Sequence, residues 1–98
     1  MTHLRQPGAR SGELRALVER VLSGGRDVGE FCAEFERVYN LETDKTMLSE
    51  RERSAFKALF ERIVWYSPFP DERRTIPNYI GEDEVLAAVW AAAHLLDK

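Results

Sequence analysis

Very few residues in this chain are of the kind that carry chemistry. Cys32 is the only cysteine among 98 residues, which excludes an intrachain disulfide. The two histidines, His3 and His94, are far apart in sequence, and no Cys/His set stands at zinc-ligand spacing. Gly24–Gly25 has none of the flanking residues of a phosphate-binding loop. No run approaches the ~18 apolar residues of a membrane span. The opening, MTHLRQPGARSG, lacks the apolar core of a signal peptide, so the sequence reads as cytoplasmic. Basic excess is missing too. The formal net charge is −3, which argues against a nucleic-acid binder held by counterion release.

What is present is ordinary for a small folded domain. Hydrophobic residues make up 44% and charged residues 32%, a globular balance rather than a disordered one. The length suits one domain with a small core. Residues 1–40 carry six basic and six acidic groups, whereas residues 41–98 carry eight and eleven, so the whole negative excess sits in the second part. That asymmetry leans towards a basic partner, although mild acidity also serves solubility.

The apolar residues recur with helical spacing. Residues 1–12 are polar, with Pro7, Gly8 and Gly12, and read as a flexible tail; residues 13–98 read as one helical domain. Leu14, Leu17, Val18, Val21 and Leu22 mark the first helix, with Ser11 as its cap and Gly24–Gly25 as its stop. Asp27 and Glu30 open the second, whose stripe is Val28, Phe31, Cys32, Phe35, Val38 and Tyr39. Residues 40–48 read as a polar loop. Ser49 and Glu52 form a capping box for the third helix, with Ala55, Phe56, Leu59, Phe60, Ile63 and Val64 inward. The last helix begins near Gly81, carries Glu82, Asp83 and Glu84 in its first turn, and turns Val85, Leu86, Val89, Trp90, Ala93 and Leu96 inward. With no alternating strand pattern, the expected fold is all-α, a small four-helix bundle in a single domain.

Between the last two helices lies WYSPFPDERRTIPNYIGEDE, residues 65–84. It holds three of the four prolines, four aromatics, two arginines and five carboxylates. Proline lacks the N–H a helix interior needs, so the stretch reads as a stiff, irregular connector. Trp65, Ile76 and Ile80 are expected in the core. Aromatics and arginine suit a protein interface, while Phe69 and Tyr79 have the alternative of folding inward. No catalytic, cofactor-binding or metal-binding residue is assigned. Cys32 lies on an apolar stripe, and both histidines read as structural or surface groups.

FCAEFERVY, then AFKALFERIVWYSPFPDERR, then IGEDEVLAAVWAAAHLL resemble the small bacterial immunity proteins of the colicin D type across roughly residues 14–96. The resemblance rests on Phe31 and Phe35, on Phe56 to Val64 with Tyr66, on the proline, acid and arginine connector, and on Ile80 before an acidic helix start. Asp83 and the second proline of SPFP depart from that pattern, as does Val85 or Leu86 where a leucine is expected. It implies a cytoplasmic, non-enzymatic inhibitor that binds a basic toxin nuclease, an RNase or tRNase; the sequence leaves both a monomer and a weak dimer open. Such a protein blocks the active site without touching nucleic acid or membrane. On that basis Asp71, Glu72, Glu82, Asp83 and Glu84 meet basic groups, Tyr66 and Tyr79 anchor, and Glu42 and Asp44 form a second acidic set. Carboxylates standing where phosphates bind both fill a cationic cleft and speed encounter. The alternative is a helical adaptor or regulatory module that binds another protein.

Overall fold

The computed structural model describes residues 11–97; the expected tail over residues 1–10, with His3, lies outside them. The described chain is all helical apart from turns and one isolated bridge. Its α-helices are α1 (Ser11–Leu22), α2 (Val28–Arg37), α3 (Glu50–Ile63), α4 (Pro70–Thr75) and α5 (Glu82–Leu96). The all-α expectation holds, but the described residues form five α-helices rather than four. Ser11 and Gly12 belong to α1 and not to a tail.

The start and stop signals act where their chemistry demands. Gly24 has φ 81°, the left-handed region glycine enters at little cost. Its amide donates to Val21 O, and that of Gly25 to Arg20 O at 2.9 Å, closing the end of α1 with paired reversed bonds. Asp27 accepts from the Glu30 amide at the head of α2. Ser49 and Glu52 cap α3 reciprocally, each side chain accepting from the other residue's amide at 3.0 Å.

The expected loop at 40–48 is largely wound. Val38–Glu42 forms a π-helical turn and Lys45–Met47 a 3-10 turn. A π turn widens the coil and exposes carbonyls, and side chains further along satisfy them. The Thr43 hydroxyl donates to Val38 O at 2.8 Å, and Lys45 Nζ donates to Tyr39 O at 2.7 Å while lying 4.4 Å from the Tyr39 ring centroid.

The core is aromatic at its centre. Phe31, Phe35 and Phe56 are fully buried, and Phe35 contacts Phe31, Tyr39 and Phe56 at centroid separations of 5.6, 5.9 and 6.0 Å. Tyr39 stacks on Phe60 at 4.9 Å, which joins the π turn to α3. Val85, Val89, Ala92 and Leu96 of α5 close the core from the other side. Ile80 is buried as expected, but four assigned core residues are not. Trp90 is 63% exposed, Trp65 and Val64 are 41% exposed, and Ile76 is 38% exposed. Helical spacing places Val64 at the edge of the α3 stripe, and Trp90 lies on the side of α5 opposite Val85 and Val89.

Cys32 is buried between α2 residues of this core. Burial, then the carboxylates of Glu36 and Asp27, push its thiol from 9.0 up to about 12. The folded value is raised, so the contribution to stability is complete below pH 9 and is lost as pH rises from 9 to about 12. A thiol-specific reagent at pH 8 should label folded protein on the order of 1000-fold more slowly than urea-unfolded protein. Equal rates would show Cys32 exposed. For packing, Phe56→Ala should lose about 3–5 kcal/mol in urea unfolding. Val64→Ala should stay within about 0.5 kcal/mol of wild type.

Candidate functional site

The 65–84 connector is ordered by a few specific contacts. The chain leaves α3, and Ser67 N donates to Ile80 O at 3.0 Å while Ile80 N donates to Trp65 O at 2.9 Å. These two bonds form a parallel bridge between Tyr66 and Ile80 and close residues 67–79 into a loop. Inside that loop α4 begins at Pro70, whose fixed φ suits a first helical position. The connector is therefore partly helical, not irregular throughout.

Ser67, buried in a polar pocket of its own, holds the loop. Its hydroxyl donates to Glu72 Oε1 at 2.5 Å and accepts from the Phe69 amide at 3.2 Å. Its carbonyl accepts from Arg73 Nη1 at 2.6 Å. The Arg73 side chain then lies across Gly81, where a Cβ would sit 3.1 Å from Nε and 3.3 Å from Cζ. Glycine at 81 lets the guanidinium approach the backbone at the head of α5. There the Gly81 amide donates to Glu84 Oε1 at 2.9 Å.

The result is a polar cleft of about 330 Å³ lined by Tyr66, Pro68, Arg73 and the Gly81–Glu84 turn. Four of the anticipated residues, Tyr66, Glu82, Asp83 and Glu84, come together here. Burial, then Glu82, Cys32 and Asp27, push the Tyr66 hydroxyl up, with Arg73 opposing. So this half-buried ring stands within the field of carboxylates from two helix starts, that of α2 and that of α5. Its edge also faces Gly29, where a Cβ would lie 3.8 Å from Tyr66 Cε2. Neither Glu82 nor Asp83 makes an ion pair among the described residues.

The other anticipated residues do different work. Glu72 fastens Ser67, and Asp71 pairs with Arg74 on the exposed side of α4. Tyr79 lies in a neighbouring depression with Trp65, their rings 6.1 Å apart. Glu42 pairs with Arg37 at the π turn. Asp44 caps the 3-10 turn, where the Thr46 hydroxyl and amide hold its carboxyl below the usual range. Neither Glu42 nor Asp44 lines the cleft. Asp27 is a member of the acidic surround that its capping role masked in the sequence, and Arg73 is the organiser that its acidic neighbours masked.

Among the described residues, no three His, Cys, Asp or Glu side chains are grouped to hold a metal ion, and no helix is long and apolar enough to cross a membrane. No family model, curated protein or solved structure matches the chain at a significant level.

Arg73→Ala removes the clamp between Ser67 and Gly81. Amide exchange at Ser67 and Ile80 should speed up by more than exchange at Phe35 and Phe56, which should follow only the loss of global stability. A loss of global stability of about 1–2 kcal/mol is expected. Unaltered protection at Ser67 and Ile80 would show that the backbone bridge holds without the arginine.

Proposed function

We propose that this chain is an immunity protein of the colicin D-like kind. It binds the basic catalytic domain of a bacterial toxin nuclease and blocks its active site. The observation that carries this reading is the cleft at the head of α5, where Glu82 and Asp83 stand beside Tyr66 and Arg73 and make no ion pair among the described residues.

The physical case is one of complementarity. An RNase must gather arginines and lysines to hold phosphates, and that cationic cleft is desolvated when a partner covers it. Carboxylates supplied from a rigid helix start satisfy those charges at the interface. The connector limits the entropy lost on binding, because the Tyr66–Ile80 bridge and the Ser67–Glu72–Arg73 contacts have already ordered it. Phe69, 59% exposed, and Trp65 offer apolar area beside the acids. The resemblance in the connector and the α5 start suggests the toxin class; the charge and geometry support a basic protein partner. Glu72 and Asp71 are secondary contacts in this reading, since both already have partners.

The same exposed aromatics favour a second reading, a helical adaptor whose partner is read mainly by apolar contact. The two differ in what charge reversal does. Co-expression with the C-terminal domain of a toxin-like protein encoded beside this gene should give one-to-one capture and loss of RNA cleavage. Glu82→Lys with Asp83→Lys should weaken that capture at least ~100-fold, by slower association and faster release. Their cost in stability should be only about 0.3–1 kcal/mol each, through the helix dipole. Capture that ignores the double reversal, but fails in Phe69→Ala, would replace the immunity reading with the adaptor one.

A further inference from the structure

Helix α5 has an outer face that the core does not use. From Val85 to Leu96 it holds no Asp, Glu, Lys or Arg. A helix that is apolar all round is normally buried all round. Here one side packs inward through Val85, Val89, Ala92 and Leu96, while Ala87, Trp90, Ala91 and His94 are exposed. Beside them, α3 and α5 enclose an apolar groove of about 340 Å³ with Ala58, Ala87 and Ala91 in its lining. Arg62 and Glu84 line one end of the groove and Leu95 the other, so the two helices run antiparallel.

Of the exposed positions of α5, 83, 87, 90 and 94 have a spacing of four, three and four that keeps one stripe on a helix. That stripe is its own complement. Turned end for end, it sets Trp90 over Ala87 and Ala87 under Trp90, a large side chain against a small one twice over. The same turn sets Asp83 against His94 at both ends, a carboxylate facing an imidazole N–H donor. A two-fold interface needs one patch that carries both halves of every contact, and this one does. Charge agrees at the rim. Arg51, which makes no ion pair among the described residues, and Arg15 line a recess with Glu50 and Leu95 at the end where a second copy's acidic first turn arrives, leaving it one positive charge in excess.

We propose that α5 is a homodimer interface, in which two copies of this chain pair antiparallel through Asp83, Ala87, Trp90 and His94, with Trp90 of each seated against the partner's Ala87. This does not rest on the toxin reading, although it shares Asp83 with it. The dimer and a partner seated on the Glu82–Glu84 cleft therefore compete.

Sedimentation equilibrium of the chain alone tests it. The mass should rise from one chain of 11.3 kDa towards two as concentration rises from ~1 µM to ~500 µM, the range of a small, weak interface. Trp90→Ala, Asp83→Lys and His94→Glu should each weaken association at least ~10-fold, since every change enters a two-fold interface twice. Asp83→Lys combined with His94→Glu should restore it, because a donor and a carboxylate again face each other at both ends. All four positions are at the surface, and circular dichroism should show unchanged helix. On a Trp65→Phe background, Trp90 emission should move to shorter wavelength with concentration. A chain that stays monomeric throughout overturns the proposal and leaves the face to a partner of different sequence. A dimer that tolerates Trp90→Ala, or whose charge swap fails to recover, pairs through another surface and overturns it equally.

Discussion

Two backbone hydrogen bonds decide where the acidic cleft stands. Ser67 N to Ile80 O and Ile80 N to Trp65 O tie the exit of α3 to the entrance of α5. Without them, residues 67–79 would be a long surface loop and the start of α5 would be free to swing. With them, the loop is short enough for Ser67 to serve both Glu72 and Arg73, and Arg73 reaches Gly81. Ile80 makes the bond possible by being buried, which removes water as a competitor for its amide and carbonyl. The bridge thus depends on the core, and the cleft depends on the bridge.

That order explains which features were readable from residues alone. Caps and stops are local, so Ser49 with Glu52, Asp27 with Glu30, and Gly24–Gly25 acted as their sequences indicate. Helical periodicity gave most of the core for the same reason, including all three phenylalanines at its centre. The errors came where a local pattern was compatible with two outcomes. Trp90 is apolar and sits in an apolar run, but every direction around such a helix looks inward on paper, and only the packing of α1, α2 and α3 on α5, which buries Val85, Val89 and Ala92, selects one. Trp65 flanks the bridge, and Ile76 ends α4 inside the loop that the bridge closes. The π turn was hidden because nothing in VYNLE announces it; Thr43 and Lys45 stabilise it from further along the chain.

The site was legible by half. A cluster of acids at a helix start is visible in any sequence, and Glu82, Asp83, Glu84 and Tyr66 do share a cleft. What the residue types concealed was the division of labour among carboxylates. Glu72 and Asp71 differ from Glu82 and Asp83 in no way that composition reveals. Yet the first pair is consumed in ordering the connector and its short helix, and the second is left to face outward. The arginines show the same division. Arg74 is spent on Asp71 at the surface, while Arg73 turns inward to a carbonyl and a glycine.

An acid already engaged in holding its own backbone is a poor choice for meeting a partner, because binding then breaks one contact to make another. An acid without an internal cation carries its charge into the encounter undiminished, and its field reaches outward by about a Debye length, ~8 Å at physiological salt. Helix α5 gathers both kinds of incomplete satisfaction. Its first turn has carboxylates that make no ion pair among the described residues, and its outer face has an indole that is 63% exposed. Neither is needed for the fold, since the cap is already completed by Glu84 and the core by Val85, Val89, Ala92 and Leu96. Residues that stability does not require, placed on an element whose start the bridge has fixed, are free to serve binding. Both associations proposed above draw on them, one through the head of α5 and the other through its outer face.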